Sequence, residues 1–205
     1  MFLTASVIGR AETKDESGSK DLFDGKTLTG WKATDFAGSG EVTVEDGKII
    51  LPMGDPLTGV NGTTPIPKTN YEISLEAMRV EGSDFFCGLT FPVQNACVTF
   101  VVGGWGGGVV GISSINGEDA SENETTQFRK FDSGKWYKIR VRVTPAKLEA
   151  WIDDEQEVNL VLEDKKLSLR AGEIEASQPF GIAAFRTKAA LRNIKLRTLS
   201  NTAAK

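Results

Sequence analysis

The chain has 205 residues, of which 24 are basic and 28 acidic, and a formal net charge of −4. This length suits a single domain with a substantial core, and because the basic residues form no cluster, nucleic-acid binding is not expected. No apolar run is long enough to span a membrane. The sequence contains no histidine, which excludes His-based triads and His metal sites.

The first 20 residues differ in composition from those that follow. An apolar run at 2–8 precedes a polar, charged stretch at 12–20. A secretory signal has an apolar centre and a basic start, and this segment lacks the basic start. Residues 1–20 are therefore interpreted as either the remnant of a signal peptide or a disordered tail. The folded domain is placed at 21–199, with a short C-terminal tail at 200–205.

Turn-rich and alternating segments follow one another after this point. Residues 22–31 are turn-rich, and Trp31 supplies an aromatic side chain for burial. Residues 51–69 hold four prolines and three glycines, which predicts a long loop. Residues 71–81 alternate between apolar and polar side chains, which predicts a half-buried strand.

The central segment 84–102 predicts an antiparallel hairpin with a short loop. If the apolar faces of its two strands coincide, Phe91 lies opposite Ala96. Cys87 and Cys97 then face opposite sides of the sheet, so they should not bond to each other. The second face of the hairpin is mixed and is interpreted either as solvent-exposed or as the floor of a ligand site. It carries Asp84, Phe86, Gly88, Thr90, Cys97, Thr99 and Val101.

A second hairpin is predicted over 136–152. Its register sets Arg142 opposite Glu149 and Arg140 opposite Trp151, which gives a cross-strand ion pair and a cation–π pair. Such a ladder is typical of the solvent-facing side of a sandwich.

The remaining pattern defines the fold class. Residues 162–178 are charged and predict one helical turn, since Gly172 and Pro179 limit its length. Elsewhere the chain consists of many short strands separated by turns. This pattern predicts an all-β domain built as a two-sheet antiparallel β-sandwich or jelly roll.

The opening LFDGKTLTGW at 22–31 resembles the signature of the 3-keto-disaccharide hydrolase domain family, formerly a domain of unknown function. The resemblance implies a concanavalin A-like jelly roll and an activity on 3-keto-disaccharides. It covers about residues 21–199 and includes similar segments at 41–51, 71–79, 83–92, 135–153 and 180–196.

Domains of this fold bind sugars on a concave sheet, with an aromatic ring stacked on a pyranose. Trp105 suits this role because it sits among the glycines of 103–108, which leave room around its ring. The alternative is a core tryptophan at a tight turn. The residues predicted to bind the ligand are Asp84, Thr99, Trp105, Arg129 and Arg186.

Catalysis and metal binding have weaker support. Glycoside hydrolysis generally needs two carboxylates, and no motif here guarantees such a pair. The catalytic candidates are Asp84, Glu122 and Glu124. Asp21 and Asp24 lie near a glycine turn, but no dedicated calcium loop is present, so no metal or other cofactor is predicted.

The sequence also departs from the family it resembles. Many members carry an acidic or amide residue in the strand matching 96–102, and often a histidine near 185–187. This chain has Val98 and Thr99 in the first place and Arg186 in the second.

Three functions therefore remain: a 3-keto-glycoside hydrolase, a non-catalytic glycan-binding module, or an interaction domain using the same face. The expected partner is a carbohydrate, and the sequence does not indicate an oligomeric state. The N-terminus and the resemblance together favour a secreted or periplasmic location.

Overall fold

The computed structural model describes residues 18–200 and contains two antiparallel sheets with a shared core. One sheet has eight strands: β1 (Ser19–Asp21), β3 (Thr43–Glu45), β4 (Lys48–Leu51), β6 (Tyr71–Gly82), β11 (Trp136–Val143), β12 (Lys147–Ile152), β13 (Glu155–Val161) and β15 (Thr187–Thr198). Their order across the sheet is β13-β12-β11-β6-β15-β4-β3, and β1 pairs with β15.

The other sheet has seven strands: β2 (Trp31–Ala33), β5 (Leu57–Gly62), β7 (Cys87–Val93), β8 (Ala96–Gly104), β9 (Val109–Ser113), β10 (Gln127–Phe128) and β14 (Gly181–Phe185). Their order across the sheet is β10-β9-β8-β7-β14-β5-β2. Within the described residues every strand pair is antiparallel, which confirms the all-β two-sheet sandwich. A single 3₁₀ turn, Glu173–Ser177, lies in the segment for which one helical turn is predicted.

The ends of the chain are only partly described. The interpretation of 1–20 as a signal remnant or tail falls almost wholly outside the described residues. Ser19–Asp21 forms β1 and pairs with the end of β15, so regular structure begins slightly before the predicted boundary. No helix of residues 18–200 is long and apolar enough to cross a membrane.

The core forms because strands of both sheets place apolar side chains at alternate positions, on the face that points toward the other sheet. In the eight-stranded sheet, Leu75 of β6 lies beside Ile139 of β11, which lies beside Ile152 of β12. Inward-facing side chains of the seven-stranded sheet, such as Leu89 and Phe100, pack in the same cluster. These side chains are almost completely buried, and each contributes about 1.5–3 kcal/mol relative to an exposed position.

The central hairpin forms, but its predicted register is wrong by two residues. Phe91 pairs with Val98 rather than Ala96. The loop is the two-residue turn Gln94-Asn95, with Gln94 at a positive φ of 54°, and this tight turn fixes the register. A two-residue shift keeps each side chain on its face, so the two cysteines still face opposite sides and both are free.

The predicted face of Phe86 is also wrong. The strand begins only at Cys87, and the bend before it breaks the alternation. Phe86 is completely buried in the main core. Phe85 instead lies on the outer face of the sheet, where the missing side chain of Gly88 leaves room for its ring.

The predicted long loop at 51–69 contains a buried strand, so this prediction is wrong in part. β5 pairs with both β14 and β2. The prolines of the segment flank the strand at 52, 56, 65 and 67, so none of them removes a hydrogen-bond donor from within it.

The second hairpin has the predicted register, with Arg140 beside Trp151 and Arg142 beside Glu149. The Arg140 guanidinium lies 3.7 Å from the centre of the Trp151 ring. The predicted ion pair is wrong, however, because Arg142 donates to Glu72 of β6 at 3.2 Å. Glu149 accepts a hydrogen bond from Gln156 instead.

Glu72 is the centre of an ion-pair network on the outer face of this sheet. Its carboxylate bonds to Arg140 at 2.9 Å, Arg142 at 3.2 Å and Arg197 at 3.2 Å. Burial opposes ionisation, but the hydrogen bond from Arg140 and the three positive charges outweigh it, so the pKa of Glu72 is lowered from its ordinary value of 4.5. A lowered pKa means that the charged carboxylate stabilises the folded state.

We expect Glu72→Gln to lower the free energy of unfolding at pH 7 by about 2 kcal/mol, since charged hydrogen bonds are lost. The difference in free energy of unfolding between wild type and variant should be greatest above the pKa that Glu72 has in the unfolded chain. It should disappear as the pH falls through the lower pKa that Glu72 has in the folded state. Urea unfolding across pH 2–7 measures this. Glu149→Gln, on the same face, should change stability by no more than about 0.5 kcal/mol. An advantage that is independent of pH would contradict the assignment.

Candidate functional site

The outer face of the seven-stranded sheet is lined by small residues at its centre. One row runs across five strands in register and leaves a shallow surface on which other groups can lie. Below it, a second row carries polar groups, in which the hydroxyls of Thr90 and Thr99 lie 2.8 Å apart. The first row consists of Gly59, Ala183, Gly88, Val101 and Gly111.

A segment of the chain, residues 168–178, crosses this face, and we call it the strap. At one end Ser114 N donates to Ser168 O at 2.6 Å. At the other end the Asn61 side-chain amide donates to Ala176 O at 3.0 Å and to Gln178 O at 3.1 Å. The strap therefore spans the sheet from the β9 side to β5 and covers part of the face.

A cavity of about 470 Å³ lies between the strap and the sheet. This volume falls within the range of about 300–1,000 Å³ that is typical of small-molecule sites. Three of the five predicted ligand-binding residues lie here, namely Asp84, Thr99 and Trp105. The complete lining is Pro56, Leu57, Asp84, Phe85, Thr99, Val101, Trp105, Ser113, Arg170, Ala171, Glu173, Ile174 and Phe185.

Trp105 stands at the tip of the glycine-rich turn between β8 and β9. Its side chain is 42% exposed, so it is not a core tryptophan. Its backbone has a positive φ of 49°, a conformation that ordinary residues adopt only when the surroundings impose it. The Arg170 guanidinium of the strap lies 5.6 Å from the ring centre, which places a cation beside the aromatic surface.

Arg79 holds this turn from below. The side chain is 6% exposed, and its guanidinium donates to Gly107 O at 3.1 Å and Gly103 O at 3.5 Å. It also donates to the carbonyls of Asp84 at 3.2 Å and Phe131 at 3.3 Å. Burial lowers the pKa of Arg79, and the Asp84 charge partly offsets this. Backbone oxygens accept from both terminal nitrogens of the guanidinium, which lowers the cost of burying its charge. Its Nε atom is buried without a hydrogen-bond partner among the described residues.

The close approach of the turn to Arg79 and Ser83 requires glycine at positions 103 and 107. A Cβ atom at Gly103 would lie 2.7 Å from the Arg79 Nη2 atom, and one at Gly107 would lie 2.6 Å from Ser83 O. Both positions also have positive φ. Larger residues here would push the turn away from Arg79, and Trp105 would move with it.

The Asp84 carboxylate fixes the same turn from the side. Its Oδ2 atom accepts from Gly106 N at 2.9 Å, and its Oδ1 atom accepts from Phe85 N at 2.8 Å. Each carboxylate oxygen can accept a further hydrogen bond, and Asp84 lines the cavity. The arrangement is that of an anchor and a hydrogen-bond acceptor.

A polar network that sequence reasoning missed forms the opposite wall. Asp119 accepts hydrogen bonds from Ser113 at 3.1 Å and Ser114 at 2.9 Å, and its other oxygen lies 3.3 Å from Arg170. The strap residue Arg170 is thereby tied to the loop after β9. No local sequence pattern indicates the pairing of Asp119 with Arg170. Arg79, in contrast, occupies an inward position of a strand whose other inward residues are apolar, and this pattern could have identified it.

The other predicted site residues lie away from the cavity lining. Arg129 donates to Glu157 at 2.6 Å and Glu155 at 3.1 Å, on the side of β13. Arg186 is exposed and stacks on Phe185, which does line the cavity, at 5.5 Å. Glu124 pairs with Lys165, and Glu122 is exposed on the same loop.

Residues 18–200 contain no cluster of three or more acidic or cysteine side chains that could hold a metal ion. Asp24, considered as a calcium ligand, accepts bonds from Lys26 N at 2.7 Å and Thr27 N at 2.8 Å. These backbone bonds lower its pKa and explain its place in the turn.

Comparisons with solved structures place this architecture among carbohydrate-related jelly rolls. The first is a proposed glycosyl hydrolase from Parabacteroides distasonis ATCC 8503, with 16% identity, TM-score 0.57 and coverage of 93% of this chain and 99% of that one. The carbohydrate-binding module CBM66 from Bacillus subtilis has 11% identity, TM-score 0.52 and coverage of 82% and 96%. A variant of the Emp46p carbohydrate recognition domain has 14% identity, TM-score 0.54 and coverage of 88% and 95%.

At these identities the likeness shows the fold, and the class is a β-sandwich of the kind found in glycosidases and carbohydrate-binding modules. The chain belongs to the 3-keto-alpha-glucoside-1,2-lyase-like domain family, whose model matches residues 18–197. This confirms the family that the sequence resemblance indicated. The comparison with curated proteins gives no match.

We expect Arg79→Met to lower the free energy of unfolding by about 2–3 kcal/mol, because four buried or partly buried carbonyl oxygens lose their donor. The turn should loosen, so acrylamide should quench tryptophan emission more strongly. Urea unfolding and quenching measure the two effects. Lys130→Met, at an exposed position, is the matched control and should change neither. A variant as stable as wild type would show that Arg79 does not hold the turn.

Proposed function

We propose that this domain binds a saccharide in the cavity between the strap and the seven-stranded sheet. The observation that carries the proposal is the half-exposed Trp105 ring at the edge of a cavity that also presents polar groups. A tryptophan face gives a pyranose an apolar platform, while hydrogen bonds to hydroxyls supply orientation. The turn that carries Trp105 is fixed by Arg79 and Asp84, so the platform is formed before the ligand arrives.

The polar groups of the cavity suit sugar hydroxyls. Asp84 offers carboxylate acceptors, Thr99 and Ser113 offer hydroxyls that both donate and accept, and Arg170 offers donors only. The Arg170 side chain is 56% exposed and is held on one side by Asp119. A saccharide that lies along Trp105 would meet donors and acceptors together, which distinguishes this site from a purely apolar pocket.

The same geometry favours binding over catalysis. The carboxylates that line the cavity belong to Asp84 and Glu173. Both oxygens of Asp84 already hold backbone N–H groups, and Glu173 lies exposed on the strap. An acid–base pair for glycoside cleavage needs two carboxylates fixed across the scissile bond. We therefore favour a non-catalytic glycan-binding role, in a secreted or periplasmic setting.

A second candidate is cleavage of 3-keto-disaccharides, which family membership supports. Asp84 and Glu173 would then be the acidic groups available in the cavity. Incubation with 3-keto-disaccharides between pH 4 and 9, with chromatography of the products, separates the two. Release of sugar that is lost in both Asp84→Asn and Glu173→Gln would replace the binding role by an enzymatic one.

For the binding role, we expect Trp105→Ala to weaken saccharide affinity by at least about tenfold, since aromatic anchors dominate such sites. A glycan array identifies the ligand and isothermal titration measures Kd. Trp136→Ala is the control, because Trp136 lies on the outer face of the other sheet beneath Arg192. Equal affinities for wild type and Trp105→Ala would remove Trp105 from the site and contradict the proposal.

A further inference from the structure

The cavity has two chemically different halves, and the strand order separates them. Thr99 and Ser113 pair across β8 and β9, on one side of β7. Leu57 and Phe185 pair across β5 and β14, on the other side. Phe85, at the bend before β7, lies between the halves. The saccharide chemistry proposed above accounts for the polar half, and the apolar half needs its own occupant.

The apolar half is a hydrophobic cluster outside the main core. Leu57 is buried there, and the side chains of Phe85, Ile174 and Phe185 pack against it while remaining partly exposed. Pro56 completes the lining on this side. A folded protein gains by hiding such side chains from water, so a group that covers them from the cavity would be bound favourably.

The two phenylalanines form a fixed aromatic surface. Their ring centres are 5.8 Å apart with an interplanar angle of 34°. Phe185 N donates to Phe85 O at 3.0 Å, which ties the two backbones together. Gly88 leaves room for the Phe85 ring over the sheet, since a Cβ atom there would be 3.0 Å from the ring. A third ring can stack against such a pair in offset or edge geometry.

We propose that the ligand is a glycoside with an aromatic aglycone: the sugar lies against Trp105 in the polar half, and the aglycone ring lies on Phe85 and Phe185. This rests on the proposed function and adds the class of ligand. A free oligosaccharide would place hydroxyls on the phenylalanine surface and leave them without partners, which disfavours it. The cavity of about 470 Å³ has room for a sugar and one ring together.

The test compares phenyl, cyclohexyl and methyl glycosides of the same sugars, in the gluco, galacto and N-acetylglucosamine series, by isothermal titration. The phenyl member of at least one series should bind about tenfold or more tightly than its methyl partner, and more tightly than the cyclohexyl member. Phe185→Leu should collapse the phenyl-to-methyl ratio. Trp105→Ala should weaken both members by a similar factor. Thermal melting confirms that each variant is folded.

Phe128→Leu is the matched control, since Phe128 is 79% exposed on β10 and does not line the cavity. It should leave the phenyl-to-methyl ratio unchanged. Equal binding of phenyl and methyl members, sensitive to Trp105→Ala, would overturn the aglycone site and leave saccharide binding intact. Equal binding of phenyl and cyclohexyl members would overturn the aromatic assignment. Absence of binding in every series would count against the aglycone site, and together with an empty glycan array it would overturn the proposed function as well.

Discussion

The site depends on one buried arginine. Arg79 points inward from a strand whose other inward side chains are apolar, and its charge is surrounded by backbone carbonyls from separate segments. Burying a guanidinium is costly unless its donors are used, so the segments that supply those carbonyls are drawn together around it. The glycine turn, the bend at Asp84 and the position of Trp105 all follow from this arrangement.

The two outer faces of the sandwich differ in the size of their side chains, and this difference explains why the cavity lies on the seven-stranded sheet. On the eight-stranded sheet, long charged and aromatic side chains interlock around Glu72, and arginines lie over the rings of Trp136 and Trp151. That face is filled by its own side chains. On the seven-stranded sheet the central residues are small, and other parts of the chain lie over them: the rings of Phe36 and Phe85 contact the positions of Gly59 and Gly88. The cavity is the space that remains between these groups and the strap. A ligand can therefore be enclosed there without displacing a packed side chain.

Sequence reasoning reached the fold and three of the residues that line the cavity. The alternation of apolar and polar residues identified the strands of both hairpins. The predicted register of the second hairpin was correct because its turn residues and its alternating pattern indicate the same pairing. The first register was displaced by two residues, since apolar matching alone cannot choose between loops of two and four residues. The sequence predicts Asp84 and Thr99 as site residues because they share the mixed face of the central hairpin, and Trp105 because the neighbouring glycines leave room around its ring. Arg129 has the same residue type as Arg170, but only the fold shows which of them lies beside Trp105.

By itself, then, the sequence determined the all-β class, the two hairpins and the family, because these depend on local alternation, turn residues and recurring segments. The tertiary structure alone decided which residues meet. Arg170 and Phe185 reach the cavity through the strap and a distant strand, and Asp119 meets Arg170 across 51 positions of the chain. These contacts depend on the order of the strands in the sheet and on the paths of the loops, and neither produces a periodic pattern in the sequence.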